Sequence, residues 1–141
     1  MLNNRFTVLG AGLMGVGIAT HFARYGQDVW LYDTDSARIA EISAVASSIL
    51  DELMAADQFS AAEKAAVLAR LHGTTSLEDV AASPLLIEAI PERLELKHAL
   101  YARLETLIAP EAIIASNTSG LPPDALAENL AYPERLLIAH F

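Results

Sequence analysis

Short apolar runs alternate along this chain with longer stretches whose apolar residues recur every three or four positions. The runs predict strands at about 4–10, 28–33, 72–76, 84–90, 112–116 and 136–141. The stretches predict helices at about 13–25, from 35 or 36 onward, at 92–108 and at 123–130. Strands that alternate with helices are typical of a sheet covered by helices on both faces. The pattern therefore predicts an α/β fold with a doubly wound, mainly parallel sheet.

Two helical segments fall between the second and third predicted strands, where a simple unit has one helix. The first begins at Asp35 or Ser36, and its apolar residues Ile39, Ile42, Val45, Ile49 and Leu53 follow helical spacing. The second begins at Ser60-Ala-Ala-Glu63, which fits a capping box, and continues to about Leu71. We interpret this helical pair as an insertion after the second strand.

A glycine motif joins the first predicted strand to the first predicted helix. It reads Gly10-Ala11-Gly12-Leu13-Met14-Gly15, and Gly26 is placed to end the helix. Gly10 permits a tight turn, Gly12 lets a phosphate approach the backbone, and Gly15 lets helix and strand pack closely. The free N–H groups at the start of such a helix bind pyrophosphate, so a Rossmann-type dinucleotide site is predicted. The structural alternative is a glycine turn that serves only packing.

The second predicted strand ends in Asp33, which lies 18 positions after Gly15. A carboxylate at about this spacing accepts hydrogen bonds from the adenosine ribose and repels a 2′-phosphate. No arginine directly follows Asp33. The predicted cofactor is therefore NAD rather than NADP.

Composition narrows the class of protein further. Apolar residues make up 53% of the 141 residues, there is no cysteine, and the net charge is −9. The acidic balance argues against nucleic acid as a partner. The apolar runs are too short to cross a membrane, and no room for a signal peptide precedes the first strand. A cytoplasmic protein of one domain, residues 1–141, is the resulting expectation.

Polar residues cluster at the carboxyl ends of the predicted strands, where ligands of open α/β sheets bind. They include Glu92, Ser119 and His140. His140 could accept a proton from a substrate hydroxyl, although a histidine on an apolar run often has no catalytic role. Ser119 could orient a substrate oxygen or organise its turn. Glu92 and Lys97 could reach a cofactor, or could be an acid favoured by the helix dipole and a solvated lysine.

No metal site is predicted, and the other histidines are expected to be structural or solvated. They are His21, His72 and His98.

Four segments together resemble the NAD-binding domain of the 3-hydroxyacyl-CoA dehydrogenases, over nearly the whole chain. They are Gly10 to Ala19, Ile87-Glu-Ala-Ile-Pro-Glu92 with Lys97, Ala115-Ser-Asn-Thr-Ser119, and Pro133-Glu-Arg with Ala139-His-Phe141. The resemblance implies oxidation of an L-3-hydroxyacyl-CoA to a 3-ketoacyl-CoA, with hydride transfer to NAD, as in fatty-acid β-oxidation.

The resemblance also implies roles for single residues. Gly10, Ala11, Gly12, Leu13, Met14 and Gly15 would hold the pyrophosphate, and Asp33 the ribose. Glu92, Lys97 and Ser119 would contact the cofactor. Ser119 would also lie near the reacting oxygen, and His140 would be the general base.

The family pairs its histidine with a later glutamate and closes its site with a helical, dimerising C-terminal domain. The expectation is that this chain is a fragment that binds NAD weakly without turnover, and that the full-length protein is a homodimer.

The substrate is less well determined than the cofactor. Where CoA-binding members of the family have serine and lysine, this chain has Ile49 and Ala56 among Asp51, Glu52 and Asp57. Acidic side chains repel the polyanionic CoA. A CoA-free 3-hydroxy acid, such as carnitine or gulonate, stays open as the substrate, as does a non-catalytic NAD-binding module.

Overall fold

The computed structural model describes residues 5–141, and these residues contain six strands. The strands are β1 (Arg5–Leu9), β2 (Asp28–Tyr32), β3 (Leu71–Thr74), β4 (Leu85–Glu88), β5 (Ile113–Ser116) and β6 (Leu136–Ile138). All pair in parallel, in the order β3-β2-β1-β4-β5-β6. This is the doubly wound order of the Rossmann fold, so the predicted fold class is confirmed. Residue 4 of the first predicted strand lies outside the described residues.

Five α-helices pack on the two faces of the sheet within residues 5–141. They are α1 (Leu13–Arg24), α2 (Ser36–Ala55), α3 (Lys64–Leu68), α4 (Leu94–Glu105) and α5 (Pro123–Ala127). One apolar core joins α1, α2 and α3 to the sheet, through Val16, Ile42 and Val67 among others. The other joins α4 and α5 to the opposite face, through Leu100, Leu104 and Leu126.

The boundaries of α1 and α2 follow local chemistry. Gly26, two residues after the last residue of α1, has φ +86°, a left-handed conformation that ends the helix and that an L side chain rarely adopts. Asp35 caps α2 by accepting a hydrogen bond from the N–H of Ala37 at 2.9 Å. The 20 residues of α2 and the short α3 form the predicted helical pair.

Two predicted details of the helical pair are wrong. The Ser60 hydroxyl accepts from the N–H of Ala62, not from that of Glu63, so a 3₁₀ turn over Ala61–Glu63 replaces the capping box. The second helix ends at Leu68 rather than about Leu71. Leu71 instead opens β3 and pairs with Val29, because the edge of β2 offers its backbone groups a partner.

The order of the strands reverses between β1 and β4. From β1 the chain proceeds outward through β2 to β3, and from β4 it proceeds outward through β5 to β6. A crevice opens at such a switch point, beyond the carboxyl ends of the strands. Among the described residues, no helix is long and apolar enough to cross a membrane.

Candidate functional site

The turn between β1 and α1 depends on two glycines. Gly10 has φ +105°, and a Cβ there would lie 2.7 Å from the carbonyl oxygen of Ala89. A Cβ on Gly15 would overlap the carbonyl oxygen of Gly10. Neither position has room for a side chain, so the turn stays tight and α1 stays close to β1.

The amino end of α1 faces open space. The N–H groups of Gly12, Leu13 and Met14 donate no hydrogen bond to any other described residue. A Cβ on Gly12 would approach nothing closer than the Arg38 guanidinium, at 3.7 Å. This cradle of unpaired donors fits a pyrophosphate, since the helix dipole also favours an anion there.

The Asp33 carboxylate closes the turn from the end of β2. One of its oxygens accepts from the N–H of Ala11 at 2.9 Å, and the other from the N–H of Asp35 at 2.9 Å. Its side chain is 11% exposed. A carboxylate oxygen has a further lone pair, so Asp33 retains acceptor capacity for a ribose hydroxyl.

A groove of about 630 Å³ runs from Asp33 past the glycine turn to α4. Its lining includes Gly10, Gly12, Leu13, Met14, Asp33, Arg38, Ile90, Leu96 and Arg103. Leu13 and Met14 are largely exposed there, at 76% and 53%. An apolar groove with a few convergent polar groups is the usual form of a cofactor site.

A second cavity, of about 230 Å³, adjoins this groove. It is lined by Met14, Glu88, Ala89, Ile90, Glu92, Lys97, Asn117, Ser119 and His140. Met14, Ala89 and Ile90 also line the groove. The structure thus brings Glu92, Lys97, Ser119 and His140 to one cavity beside the glycine turn.

A buried ion pair forms the floor of this cavity. Lys97 is 1% exposed and donates to a Glu88 oxygen at 2.7 Å. The other Glu88 oxygen accepts from the hydroxyls of Tyr101 at 2.5 Å and Ser116 at 2.8 Å. Burial, followed by the adjacent Glu88 carboxylate, raises the pKa of Tyr101, so the phenol stays a donor. The alternative of a solvated Lys97 is wrong.

Glu92 links this pair to the loop that carries Ser119. It lies 3.2 Å from the Lys97 nitrogen, and it accepts from the Thr118 hydroxyl at 2.7 Å and the Ser119 N–H at 3.0 Å. Partial burial alone would raise the pKa of Glu92, but the hydrogen bonds from Thr118, Ser119 and Lys97 lower it to about 2. Glu92 is therefore a carboxylate at neutral pH.

His140 lies just beyond β6, and its neighbours attach it to the end of β5 and to the loop that follows. The N–H of Ala139 donates to the carbonyl of Ser116 at 2.9 Å, and the N–H of Phe141 donates to the side-chain oxygen of Asn117 at 2.8 Å. The His140 side chain is exposed at the cavity. The last strand is predicted over 136–141 but ends at Ile138, because the N–H of Phe141 donates to the Asn117 side chain instead of to the backbone of β5.

Sequence reasoning missed three contributors to the site. Arg38 lies in the first turn of α2 beside Asp33, five positions after it, whereas the sequence-based prediction considers an arginine only at the position directly after Asp33. Glu88 is the buried partner of Lys97, and Asn117 anchors the residue after His140. Glu88 follows the apolar residues of β4 directly, and a carboxylate at the end of a buried strand indicates a buried cationic or hydrogen-bonding partner.

The remaining histidines line neither cavity. His72 lies 3.3 Å from Asp28, and His98 approaches the carbonyl of Ala125 at 2.6 Å. The ring of His21 contacts that of Tyr25 at a tilt of 58°, with ring centroids 5.2 Å apart. Ile49, near the position of a CoA contact in the family, packs partly buried against the core. Within residues 5–141, no group of three His, Asp or Glu side chains could hold a metal ion.

Residues 5–141 match the family model described as the NAD-binding domain of 3-hydroxyacyl-CoA dehydrogenase. The chain belongs to this family. NAD is accordingly the cofactor of the 3-hydroxyacyl-CoA dehydrogenase domain seen here, as its glycine turn and Asp33 predicted.

Relatives of the chain are identical to it at about a third of the aligned residues. A probable 3-hydroxybutyryl-CoA dehydrogenase from Deinococcus radiodurans is 37% identical over 97% of this chain and 49% of its own. The 5-formyl-3-hydroxy-2-methylpyridine 4-carboxylate 5-dehydrogenase of Mesorhizobium japonicum is 33% identical over 100% of this chain and 45% of its own. The chain thus spans about half the length of these relatives.

A solved structure of the family has the same fold. The (S)-3-hydroxybutyryl-CoA dehydrogenase from Ralstonia eutropha superposes with a TM-score of 0.91 at 34% identity, over 98% of this chain and 49% of that one.

Proposed function

We propose that this domain binds NAD along the groove and that, in the complete protein, it oxidises a 3-hydroxyacyl-CoA to a 3-ketoacyl-CoA. The observation that carries the proposal is the meeting of Glu92, Lys97, Ser119 and His140 at one cavity that adjoins the glycine turn. The 630 Å³ groove and the 230 Å³ cavity share Met14 in their linings. A substrate in the cavity would therefore lie beside one end of a cofactor bound in the groove.

The proposed roles follow from the chemistry of each group. The N–H groups of Gly12, Leu13 and Met14 bind the pyrophosphate, and Asp33 binds the adenosine ribose. When bound, NAD supplies the acceptor for the hydride that leaves C3 of the substrate with its electron pair. His140 accepts the hydroxyl proton, so that the carbon–oxygen double bond of the ketone can form. The Ser119 hydroxyl, whose proton is directed at a Glu92 oxygen at 3.3 Å here, turns to donate to the substrate oxygen, and Lys97 and Glu92 orient the cofactor.

The test is NADH formation by the complete gene product with L-3-hydroxybutyryl-CoA. We expect His140→Gln to lower kcat roughly 10²- to 10⁴-fold, because a general base of this kind contributes that much. His72→Gln, on the edge strand, is the matched control and should keep its activity. Full activity of His140→Gln would refute the proposed base, and a purified wild type that binds no NAD would refute the whole proposal.

A substrate without CoA is the second candidate. Asp51 and Glu52 on α2 and Asp57 just after it disfavour a polyanion, and the Mesorhizobium relative is named for a pyridine carboxylate. The same assay with carnitine and gulonate separates the two, since activity on either but not on the CoA thioester would select this candidate. NAD binding without turnover of any 3-hydroxy substrate would indicate the non-catalytic module.

The proposal extends to the setting of the complete protein, which we expect to be a cytoplasmic homodimer that acts on a small molecule and binds no nucleic acid. Gel filtration with light scattering tests the dimer.

A further inference from the structure

Arg38 places a positive charge at the ribose end of the groove. Its terminal nitrogen lies 3.8 Å from an Asp33 oxygen, and its Nε lies 3.9 Å from Asp35. The side chain is 49% exposed and lines the groove. A Cβ on Gly12 would lie 3.7 Å from the same terminal nitrogen, so the guanidinium spans the space between Asp33 and the glycine turn.

The guanidinium is not committed to either acid. Both separations are longer than a hydrogen bond, and Arg38 donates no hydrogen bond to any described residue. Its fork of N–H donors therefore remains available. Such a fork binds phosphate with two parallel hydrogen bonds, and contacts as long as 3.8 and 3.9 Å do not occupy its donors.

Asp33 and Arg38 have opposite effects on a cofactor at this end of the groove. The 2′-hydroxyl of the adenosine ribose binds at the carboxylate in NAD enzymes, and an arginine nearby accommodates the 2′-phosphate in NADP enzymes. Asp33 favours the first ligand and repels the second. Arg38 would attract the second.

We propose that Arg38 forms a subsite for the 2′-phosphate of NADP and that the charge of Asp33, more than that of the exposed Asp35, keeps this subsite closed. The inference rests on the proposed cofactor site, because it assumes that the adenosine ribose reaches Asp33. It predicts that one neutralising change at Asp33 admits NADP without any added positive charge.

The experiment measures dissociation constants for NAD and NADP by calorimetry on the full chain and four variants: Asp33→Asn, Arg38→Gln, the double variant, and Asp33→Asn with Arg93→Gln. Asn is chosen because it has nearly the shape of Asp and retains an oxygen acceptor for the glycine turn. Arg93 is the matched control, since it is an exposed arginine paired with Glu95 and lines neither cavity.

We expect Asp33→Asn to bind NADP about tenfold or more tightly relative to NAD than the wild type does, as a charge-assisted phosphate contact would allow. Arg38→Gln in that background should abolish the gain, and Arg93→Gln should preserve it. The inference is overturned if folded Asp33→Asn gains no NADP affinity, or if the gain persists without Arg38.

A second comparison does not depend on Asp33→Asn folding. Arg38→Gln alone should weaken the residual binding of NADP to the wild type and leave NAD binding nearly unchanged, whereas equal effects on both cofactors would overturn the subsite. Failure of the wild type to bind NAD would instead refute the proposed function.

Discussion

At the scale of single residues, Glu88 and Lys97 form the most deeply buried ion pair of the site. Both side chains are almost completely buried, at 0% and 1% exposure. Glu88 accepts hydrogen bonds from three side chains and from the N–H of Ile90. Such a pair adds little over an apolar pair of the same size, but removal of one partner leaves the other charge buried and uncompensated.

Lys97→Met should therefore destabilise the chain strongly. The expected loss in the free energy of unfolding is about 3–5 kcal/mol, measured by urea denaturation. Lys64→Met is the matched control, because Lys64 pairs with Asp51 at the same distance of 2.7 Å but at the surface. Its cost should stay below about 1 kcal/mol. Equal losses in the two variants would show that the buried pair has no special role.

At the scale of elements, the close packing of α1 on β1 requires a glycine at one of the two glycine positions of the helix and not at the other. A Cβ on Gly15 would overlap the carbonyl oxygen of Gly10, whereas a Cβ on Gly17 would meet nothing within 4 Å. Backbone atoms cannot turn aside as a flexible side chain can. The two positions therefore differ in packing although they lie on the same helix.

Alanine substitutions at these two glycines should have opposite effects on stability. Gly15→Ala should cost about 1–3 kcal/mol by overpacking and weaken NAD binding, because α1 must move away from the turn. Gly17→Ala should stabilise the chain by about 0.5–1 kcal/mol, since alanine loses less conformational entropy in a helix. Thermal unfolding and NAD titration measure both effects, and a stabilising Gly15→Ala would contradict the packing model.

Local signals explain why most elements could be predicted from the sequence. The glycine turn, the Asp35 cap and the apolar spacing of α2 are each encoded by neighbouring residues, and all appear in the structure. Leu71 lies in a strand and not at the end of a helix, because its pairing with Val29 depends on a segment far away in the chain. For the same reason, the sequence does not predict that Glu88 pairs with Lys97 or that Arg38 lies close to Asp33. Spacing places such residues on elements, but only the packing of those elements brings the side chains together.

At the scale of the whole molecule, Glu92 connects the two halves of the cavity. It accepts hydrogen bonds from Thr118 and Ser119 after β5 and lies beside Lys97 on α4. Its pKa of about 2, against an ordinary 4.5, means that the folded chain favours the ionised form. The stability that this ionisation provides is fully present above pH 4.5 and is lost as the pH falls towards 2.

Glu92→Gln should therefore change how stability depends on pH. The wild type should exceed the variant in free energy of unfolding at neutral pH, and the difference should shrink as the pH falls from 4.5 towards 2. Urea denaturation at a series of pH values measures this difference. Glu41→Gln, at an exposed position on α2, is the control for the loss of a surface carboxylate. A constant difference for Glu92→Gln would contradict the role of its charge.

Two hydrogen bonds from the backbone on either side of His140 tie the proposed proton acceptor to β5 and the loop after it. Ala139 binds Ser116 and Phe141 binds Asn117, and Ser119 lies on the same loop. The proposed proton acceptor and the group beside the reacting oxygen are thus mounted on β5, whereas the glycine turn is mounted on β1, with β4 between them. A displacement of β5 would therefore carry the proposed proton acceptor and Ser119 together, so their mutual geometry depends on one strand and the loop that follows it.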